Sequence, residues 1–251
     1  MTSHSDTKDI SISIIIATFN VAKELRECLQ SITAQSFKSI EIVVVDAGSA
    51  DETVSILKDY KGGHSLVWVS EPDKGIYDAL NKGVRLAKGK WLHFLGADDR
   101  LLPDFSKLAA ELKSENTVYY GISRAYYPAQ PRNIGLFAGK FSSYRMSRNC
   151  LNHQAILYPA AVFQKYSYDL RYKVCADYAL NIRVWGDRQF LKQYFPITIV
   201  DYNMDGFSSF NTDNLFKKEK PAIIKESMGW FIYVRFLMRQ FRKKLKGQSD
   251  Y

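Results

Sequence analysis

The sequence predicts an α/β fold with a mostly parallel central sheet flanked by helices. Four runs of β-branched and aliphatic residues alternate, between residues 12 and 95, with segments whose apolar residues recur at helical spacing. Right-handed crossovers connect parallel strands, so this alternation brings the carboxyl ends of the strands to one edge of a sheet. Each run ends in carboxylate, hydroxyl or amide side chains, and open α/β sheets bind ligands at that edge. The sequence therefore predicts one pocket built from residues that are distant in the chain.

The first three crossovers contain the clearest helix signals. Asn20 is predicted to cap the first helix, and Ser49 and Glu52 have the spacing of a capping box for the second. The third helix is predicted over residues 76–87, with Gly89 beyond its end. The apolar faces expected for these helices are, in order, Leu25, Cys28, Leu29 and Ile32; Val54, Leu57 and Tyr60; and Ile76, Leu80, Val84 and Ala87.

The alternation weakens beyond residue 121. Residues 125–144 are rich in Tyr, Pro, Gly and Arg and have no sustained period, which indicates a loop region. The elements predicted in this half and just before it are a helix over 103–112, a strand over 117–122, a helix over 174–185 and a strand over 197–202.

The chain is long enough for one main domain. It has 251 residues, of which 46% are hydrophobic. Its three cysteines, Cys28, Cys150 and Cys175, form no Cys-x-x-Cys pair, as expected for reduced thiols that bind no metal. Residues 1–9 are polar, and no stretch reaches the roughly 18–20 apolar residues of a membrane span. We therefore expect a cytoplasmic protein, soluble or peripheral on the cytoplasmic face of the inner membrane.

Positive charge is concentrated near the C-terminus. The net charge is +9, and residues 217–246 hold ten Lys or Arg against two Glu. The nearly neutral remainder is unlike a domain whose working surface binds nucleic acid, so no nucleic-acid partner is expected. The same segment is rich in aromatic residues. Two interpretations stay open: a basic amphipathic helix on an anionic membrane surface, or a helix that packs on the core.

Two adjacent acids, Asp98 and Asp99, follow the predicted strand over residues 91–95. Acids beside a buried strand lose hydration and repel each other unless a cation offsets their charge. Carboxylate oxygens favour Mg²⁺ or Mn²⁺. Taken alone, the pair also fits a solvated turn ahead of the helix at Pro103.

The other strand ends carry polar residues that suit a nucleotide. Thr18 and Asn20 supply donors and acceptors, and Asp46 adds an acid that could also be a turn residue. Asp73 and Lys74 bring an acid and a cation to the start of the third helix, where backbone amides and the helix dipole favour phosphate. A loop lysine can equally be solvated.

Four blocks carry a resemblance to a known family. They are residues 14–20 (Ile-Ile-Ile-Ala-Thr-Phe-Asn), 44–53 (Val-Val-Asp-Ala-Gly-Ser-Ala-Asp-Glu-Thr), 73–83 (Asp-Lys-Gly-Ile-Tyr-Asp-Ala-Leu-Asn-Lys-Gly) and 89–99 (Gly-Lys-Trp-Leu-His-Phe-Leu-Gly-Ala-Asp-Asp). In this order, at these strand ends, they closely resemble the pattern of glycosyltransferase family 2 and its GT-A nucleotide-diphospho-sugar transferase fold. The resemblance covers residues 10 to about 105.

The resemblance implies roles for the residues at the sheet edge. Thr18, Asn20 and Asp46 would lie around the base and ribose of a nucleotide-diphosphate sugar donor. Asp98 would contact the ribose, and Asp99 would hold a divalent metal, Mn²⁺ or Mg²⁺, on the diphosphate. The metal would stabilise the charge that develops on the leaving group.

Further residues have looser implied roles. Asp73 and Lys74 would lie near phosphate, and Asn81 would bind the donor sugar or phosphate. The segment Asn-His-Gln over residues 152–154 resembles an acceptor-side feature, in which His153 would orient substrate or touch metal or phosphate. A structural, hydrogen-bonded His153 is the alternative.

The second half also resembles the family at two motifs. Asp177 lies in a segment that resembles the acidic motif carrying the base that takes the acceptor hydroxyl proton. The alternative is an acid at a helix start with no chemical role. Gly206 and Ser208 resemble a late loop that would close over the diphosphate, or they form an ordinary surface turn.

This sequence departs from the family pattern at three positions. Ala47 and Gly96 stand where relatives often have acids, so fewer contacts to the nucleoside base and fewer metal or ribose ligands are expected. Ala176 replaces an acid that often precedes the catalytic one, so the assignment of the catalytic base depends on Asp177 alone. The Gln-x-x-Arg-Trp motif of processive synthases is absent, which favours transfer of a single sugar. The domain layout expected is a single GT-A catalytic domain over 10–210, with a nucleotide-sugar half over 10–121 and an acceptor half over 122–210, followed by a basic tail over 211–251.

The resemblance implies a metal-dependent, inverting glycosyltransferase. It would move one sugar to a glycan or lipid-linked acceptor in cell-surface polysaccharide biosynthesis. A sugar-phosphate nucleotidyltransferase is one alternative, although it would normally carry a Gly-rich basic loop after the first strand, where this chain has Ala-Thr-Phe-Asn over 17–20. An inactive membrane-surface scaffold on the same fold is another.

Overall fold

A computed structural model describes residues 10–126, 135–204 and 212–247. The predicted loop of Gly206 and Ser208 lies outside these residues. The strands are β1 (Ile12–Thr18), β2 (Ile40–Asp46), β3 (Ser65–Ser70), β4 (Trp91–Phe94), β5 (Arg100–Leu101), β6 (Thr117–Tyr126), β7 (Leu136–Phe137), β8 (Ile156–Pro159) and β9 (Leu191–Asn203). The helices are α1 (Ala22–Thr33), α2 (Thr53–Lys58), α3 (Ile76–Leu86), α4 (Asp104–Ala110), α5 (Ser143–Arg148), α6 (Ala161–Lys165), α7 (Ala176–Gly186) and α8 (Asn214–Leu245).

One sheet runs through the described part of the chain in the order β3-β2-β1-β4-β8-β6-β9-β5, and β7 pairs with β6. The first four strands pair in parallel, as the alternation of strands and helices predicts. In the second half β8 is antiparallel to both of its neighbours, whereas β6 and β9 are parallel. The parallel half gathers the strand carboxyl ends at one edge.

Two apolar layers cover the two faces of the sheet. Successive side chains of a strand point to opposite faces, so Ile14 packs in the layer that contains Leu29 of α1, and Ile15 packs in the layer that contains Leu80 of α3. Gly83 brings α3 close to the sheet, because a Cβ at this position would overlap the Ile15 side chain. This close packing holds the C-terminal half of α3 against the sheet.

The predicted caps of α1 and α2 are wrong. Asn20 has a positive φ of 50° and precedes the helix, and the amide of Ala22 donates instead to Asp51 Oδ2 at 3.0 Å. The Ser49 hydroxyl donates to Asp46, so it does not cap α2. The hydrogen bonds of the loops after β1 and β2 instead connect the ends of these two strands.

The apolar stripe of α3 is shifted from the predicted one. Its buried side chains include Tyr77 and Leu80, whereas Ile76 is 52% exposed. The prediction fails because Tyr77 turns inward to reach the second half of the chain, a contact that local spacing does not contain.

The C-terminal tail is a long helix broken at Gly229, where φ is 80° and ψ is 172°. Before the break, Phe216, Ile223 and Ile224 are buried in the core. After the break, residues 230–245, here named the distal segment, bury Phe236. Within the described ranges, no helix has the length and apolar character needed to cross a bilayer. The tail therefore combines core packing with a partly exposed basic end.

Candidate active site

Asp46 ties the ends of the first three strands together. Its side chain is fully buried and accepts five hydrogen bonds within 3.1 Å. The donors are the hydroxyls of Thr18, Ser49 and Ser70 and the backbone amides of Gly48 and Ser49. Burial opposes ionisation, but the donors from Ser49, Ser70 and Thr18 outweigh it and lower the pKa of Asp46. Asp46 is therefore held as a carboxylate.

The loops after β1 and β2 form a common rim above Asp46. The Asn20 amide donates to Ser49 Oγ at 2.8 Å, and Asn20 Oδ1 accepts from the Ala50 amide at 2.9 Å. Phe19 is 59% exposed beside them. Thr18, Asn20 and Asp46 therefore converge, as the sequence predicts, and the rim presents an aromatic surface to solvent.

The start of α3 borders the same edge. Gly75 has a φ of 116°, and its amide donates to Asp73 Oδ1 at 2.8 Å. The Lys74 amide donates to Asp78 Oδ2 at 3.0 Å, and the Lys74 side chain is exposed. The acid and the cation thus lie at the N-terminus of an 11-residue helix, where the helix dipole favours an anion.

Asp98 and Asp99 lie in the turn after β4 and contact the second half of the chain. Asp99 is only 1% exposed, and its Oδ1 accepts from the Asn203 amide at 2.7 Å. Its Oδ2 accepts from the Gln154 carboxamide. Asp98 is half-buried and accepts from Asn203 Nδ2 at 3.0 Å.

The pair is electrostatically disfavoured without a cation. Burial, then the neighbouring Asp98, raise the pKa of Asp99 to about 8, and burial also raises the pKa of Asp98. A buried pair of hard oxygen donors with raised pKa values fits a divalent cation of the Mg²⁺ or Mn²⁺ type. Among the described residues, no group of three or more His, Cys, Asp or Glu side chains is close enough to form a complete protein cage. A cation here would therefore need ligands from substrate or water.

Gly96 explains one departure from the family pattern. A Cβ at residue 96 would overlap Asp99 Oδ2. A side chain at residue 96 would therefore require Asp99 to move. Glycine in place of an acid at this position allows Asp99 to point inward.

Asp177 lies in the first turn of α7. Its side chain is 15% exposed. Tyr77 Oη lies 3.0 Å from Asp177 Oδ1 and also donates to the carbonyl of Val174 at 2.6 Å. His153 Nδ1 lies 3.2 Å from Asp177 Oδ2. The tyrosine of α3 thereby connects the nucleotide half of the chain to this acid.

One short turn joins the two acidic centres. Residues His153–Ala155 form a 3₁₀ turn ahead of β8, and the Asn152 side chain caps it by accepting from the Gln154 amide at 2.9 Å. His153 contacts Asp177, while the next residue, Gln154, contacts Asp99. The predicted metal ligand and the predicted base are therefore linked through two consecutive residues.

Asn81 lies away from the strand edge. Its Nδ2 donates to the Tyr168 carbonyl at 2.9 Å, and its Oδ1 accepts from the Tyr168 amide at 3.0 Å. This reciprocal pair holds the loop after α6 against α3. The structure thus gives Asn81 a positioning role, and its predicted contact with a donor remains a prediction.

Three contributors to the site have no assigned role in the sequence analysis: Tyr77, Gln154 and Asn203. Tyr77 and Gln154 lie inside motif blocks, which is a usable signal. Asn203 is 104 residues from Asp99 and follows an ordinary strand pattern, so local sequence gives no indication of its contact.

The fold, with an acid-lined strand edge, is the GT-A fold. Solved structures with the same fold include Staphylococcus aureus TarS 1-349 in complex with UDP-GlcNAc, with a TM-score of 0.67 and 17% identity over 87% of this chain and 71% of that one. Another is the mannosyltransferase PcManGT from Pyrobaculum calidifontis in complex with GDP-Man and Mn²⁺, with a TM-score of 0.60 and 15% identity over 95% of this chain and 81% of that one.

The chain belongs to glycosyl transferase family 2, whose family model matches residues 13–170. Its curated relatives include a PGL/p-HBAD biosynthesis glycosyltransferase of Mycobacterium bovis, 37% identical over 220 residues and 83% of each chain. Glycosyltransferase GlyA of Streptococcus pneumoniae is 28% identical over 70% of this chain and 28% of its own length. This membership decides for a glycosyltransferase over a sugar-phosphate nucleotidyltransferase.

Proposed function

We propose that the chain transfers one sugar, with inversion, from a nucleotide-diphosphate sugar to a glycan or lipid-linked acceptor in cell-surface polysaccharide biosynthesis. The observation that carries the proposal is the turn in which His153 contacts Asp177 and Gln154 contacts Asp99. An inverting transfer needs leaving-group stabilisation and a base within one site, and this turn couples one candidate for each.

The donor nucleoside is assigned to the rim of Thr18, Asn20 and Asp46. Carboxylate and hydroxyl groups suit the polar edges of a base and ribose, and Phe19 offers a ring for stacking. Because Asp46 already accepts five hydrogen bonds, a nucleoside that contacts it would replace one of the hydroxyl donors. The complexes of TarS with UDP-GlcNAc and of PcManGT with GDP-Man support a nucleotide-sugar donor for this fold.

Asp99 is assigned as the protein ligand of a divalent metal, and Asp98 as the ribose contact. When bound, Mn²⁺ or Mg²⁺ supplies positive charge that offsets the charge developing on the leaving diphosphate. Lys74 and the amides at the start of α3 add positive potential near the same phosphates. Asp73 supports this corner by accepting from the Gly75 amide.

Asp177 is assigned as the general base. It takes the proton of the acceptor hydroxyl while that oxygen attacks the anomeric carbon on the face opposite the leaving group. His153 acts as a positioning residue: a protonated Nδ1 donates to Asp177 Oδ2, which fixes the orientation of both side chains. Tyr77 holds the other oxygen from α3.

The acceptor is assigned to the half of the chain from residue 122 to residue 210, because Asp177 and His153 lie there. We assign the protein to the cytoplasmic face of a membrane, with residues 217–246 facing anionic lipid. The support is the positive charge of this segment and the exposed aromatic residues of its distal part, such as Phe231.

Thermal unfolding with a panel of nucleotide sugars and nucleoside diphosphates tests donor and metal together. One nucleotide should raise the unfolding temperature strongly with Mn²⁺ and weakly without it. Asp99→Asn should lose the metal-dependent part, whereas Asp177→Asn should keep it. The acid Asp104, whose side chain is 39% exposed and pairs with Lys107 on α4, is replaced by Asn as the matched control. Stabilisation that is equal with and without metal would contradict the metal assignment.

A further inference from the structure

The distal segment of α8 exposes an apolar stripe to solvent. Trp230, Phe231, Phe241 and Leu245 are 66%, 70%, 64% and 71% exposed. At about 100° per helical residue, they share one face of about 120° with Val234, Leu237 and Met238. The buried side chain of this segment, Phe236, lies on roughly the opposite face. Such a stripe is an interaction surface, because single exposed apolar residues are common but contiguous apolar patches are not.

A basic groove runs beside this stripe. Its volume is about 400 Å³, and it is lined by Tyr144, Arg235, Met238, Arg239, Arg242, Lys243 and Lys246. Five of these seven side chains are cationic, and none of the described lining residues is acidic. Met238 belongs both to the stripe and to the groove. The groove therefore places a concentrated positive charge at the border of an exposed apolar face.

Two arginines of the groove repel each other along the helix. Arg235 and Arg239 are four residues apart, and like charges at this spacing are destabilising. The Arg235 guanidinium lies 4.1 Å from the centre of the Tyr144 ring, so the ring holds it in place.

Arg148 approaches the same Tyr144 ring, at 5.2 Å. Its Nε is buried and has no hydrogen-bond partner within the described ranges. An anion in the groove would gain charge-assisted hydrogen bonds from the arginines that line it and would relieve the repulsion between Arg235 and Arg239.

We propose that this groove binds the phosphate of an anionic phospholipid headgroup while the adjacent apolar stripe inserts among the acyl chains. The two surfaces match the two parts of such a lipid. A second copy of this chain is a poorer occupant, because it would bring two cationic grooves together. The proposal deepens the membrane contact assigned above and confines it to the distal segment, since Phe216, Ile223 and Ile224 bury the preceding part in the core.

The groove lies close to the proposed acceptor end of the active site. Tyr144 belongs to α5, and the chain continues from this helix to Cys150, whose Sγ lies 3.9 Å from Asp177 Oδ2. Cys150 is the sixth residue after Tyr144, and helix α5 spans most of this interval, so their Cα atoms are at most about 14 Å apart. A membrane held in the groove would therefore lie near the point where a lipid-linked acceptor must enter.

Vesicle flotation with matched single-charge variants tests the groove. Arg242 and Lys244 are both exposed and lie at equal angles on the two sides of the stripe, but only Arg242 lines the groove. Lys244→Gln should lower binding to phosphatidylcholine/phosphatidylglycerol vesicles about fivefold, the effect of one surface charge. Arg242→Gln should lower it by at least about twentyfold, because it also removes charge-assisted hydrogen bonds. Equal losses in the two variants would overturn the groove as a site.

Two further experiments test whether the apolar stripe inserts into the membrane and whether the bound phosphate belongs to a lipid. Phe241→Ser should release the protein from vesicles, whereas Ser at the exposed Leu191 on β9 should not. A dimer that Phe241→Ser dissociates, with vesicle binding unchanged, would overturn the lipid as occupant in favour of a second copy. A third outcome is that inorganic pyrophosphate stabilises the wild type, that Arg242→Gln abolishes this stabilisation, and that the wild type does not bind vesicles. This outcome would overturn a lipid as the source of the phosphate.

These measurements need no donor, metal or acceptor, so they are independent of the proposed transfer. A wild-type protein that transfers sugar to a soluble acceptor but does not bind the vesicles would contradict the groove alone. Vesicle binding without any transfer would contradict the proposed function alone. Unchanged thermal unfolding temperatures confirm that each variant is folded.

Discussion

Asp177 at the start of α7 and His153 in the turn before β8 are in contact, with 3.2 Å between Asp177 Oδ2 and His153 Nδ1. Both residues lie in the acceptor half of the chain. The Asp177 carboxylate is held between the His153 imidazole and the Tyr77 hydroxyl. The next residue of the turn, Gln154, contacts Asp99, so the same turn contacts both the acid pair and the proposed base. The site is therefore one connected unit.

Asp177→Asn should lower the turnover number by about 10²- to 10⁴-fold, the usual effect of losing a general base. The Michaelis constant for the donor should stay within about twofold, since Asp177 is assigned no donor contact. Steady-state kinetics measure both quantities, with Asp104→Asn as the control. Near-normal turnover would remove Asp177 from the mechanism.

His153→Gln should have a smaller effect, a loss of about tenfold to a hundredfold in turnover, because the base remains but loses its fixed orientation. His153→Asn, with a shorter side chain that does not reach Asp177, should lose more than His153→Gln. The same kinetic assay compares the two variants. An equal loss in both would show that the hydrogen bond to Asp177 is not what His153 contributes.

Asp46→Asn should destabilise the fold by about 2–4 kcal/mol, because several buried donors lose an ionised acceptor. Ser70→Ala, which removes one donor from the exposed edge strand, should cost only about 1 kcal/mol. Urea unfolding at neutral pH measures both changes. A loss below about 0.5 kcal/mol for Asp46→Asn would mean that its hydrogen bonds do not anchor the strand ends.

His93 on β4 should make the stability of the protein depend on pH. Burial lowers the pKa of His93 from 6.5 to about 4, although its Nδ1 contacts the Ile156 carbonyl. Between these pH values His93 binds a proton in the unfolded chain but not in the folded chain, so its contribution to stability falls as the pH falls from about 6.5 to about 4. The His93 contribution over this window is about 3 kcal/mol. Asp99, whose pKa is raised to about 8, contributes with the opposite sign over the same window.

His93→Gln should remove the His93 contribution, so that stability falls less, or rises more, as the pH falls through this window, whatever the effect of the substitution at neutral pH. Urea unfolding at a series of pH values between about 4 and 7 gives the slope for the two proteins. The same slope in both would assign the acid sensitivity to other groups.

Much of the strand edge was predictable from sequence. The places of Thr18, Asp46, Asp98 and Asp99 follow from the ends of apolar runs, because strand burial is a strong local signal and parallel strands end at one edge. Asp177 was placed at a helix start by its motif. These residues depend on local pattern, which a single sequence contains.

The failures have a common physical cause. Asn20 and Ser49 have the local chemistry of helix caps, yet Asn20 binds the Ala50 amide and Ser49 binds Asp46. Tyr77 leaves the expected face of α3 for Asp177, and Asn203 reaches Asp99 across 104 residues. Ser49 also accepts from the Asn20 amide, so in each case the residue contacts one that is distant in the sequence. Such contacts cannot be inferred from the spacing of residues within one segment.

Metal-dependent sugar transfer by this protein can be tested by measuring the release of nucleoside diphosphate from a panel of nucleotide sugars, with and without Mn²⁺. We expect slow, Mn²⁺-dependent release from one nucleotide sugar, acceleration by an acceptor, and loss of release in Asp99→Asn. Release that is independent of metal and unchanged in Asp99→Asn, or no release from any nucleotide sugar, would contradict metal-dependent transfer.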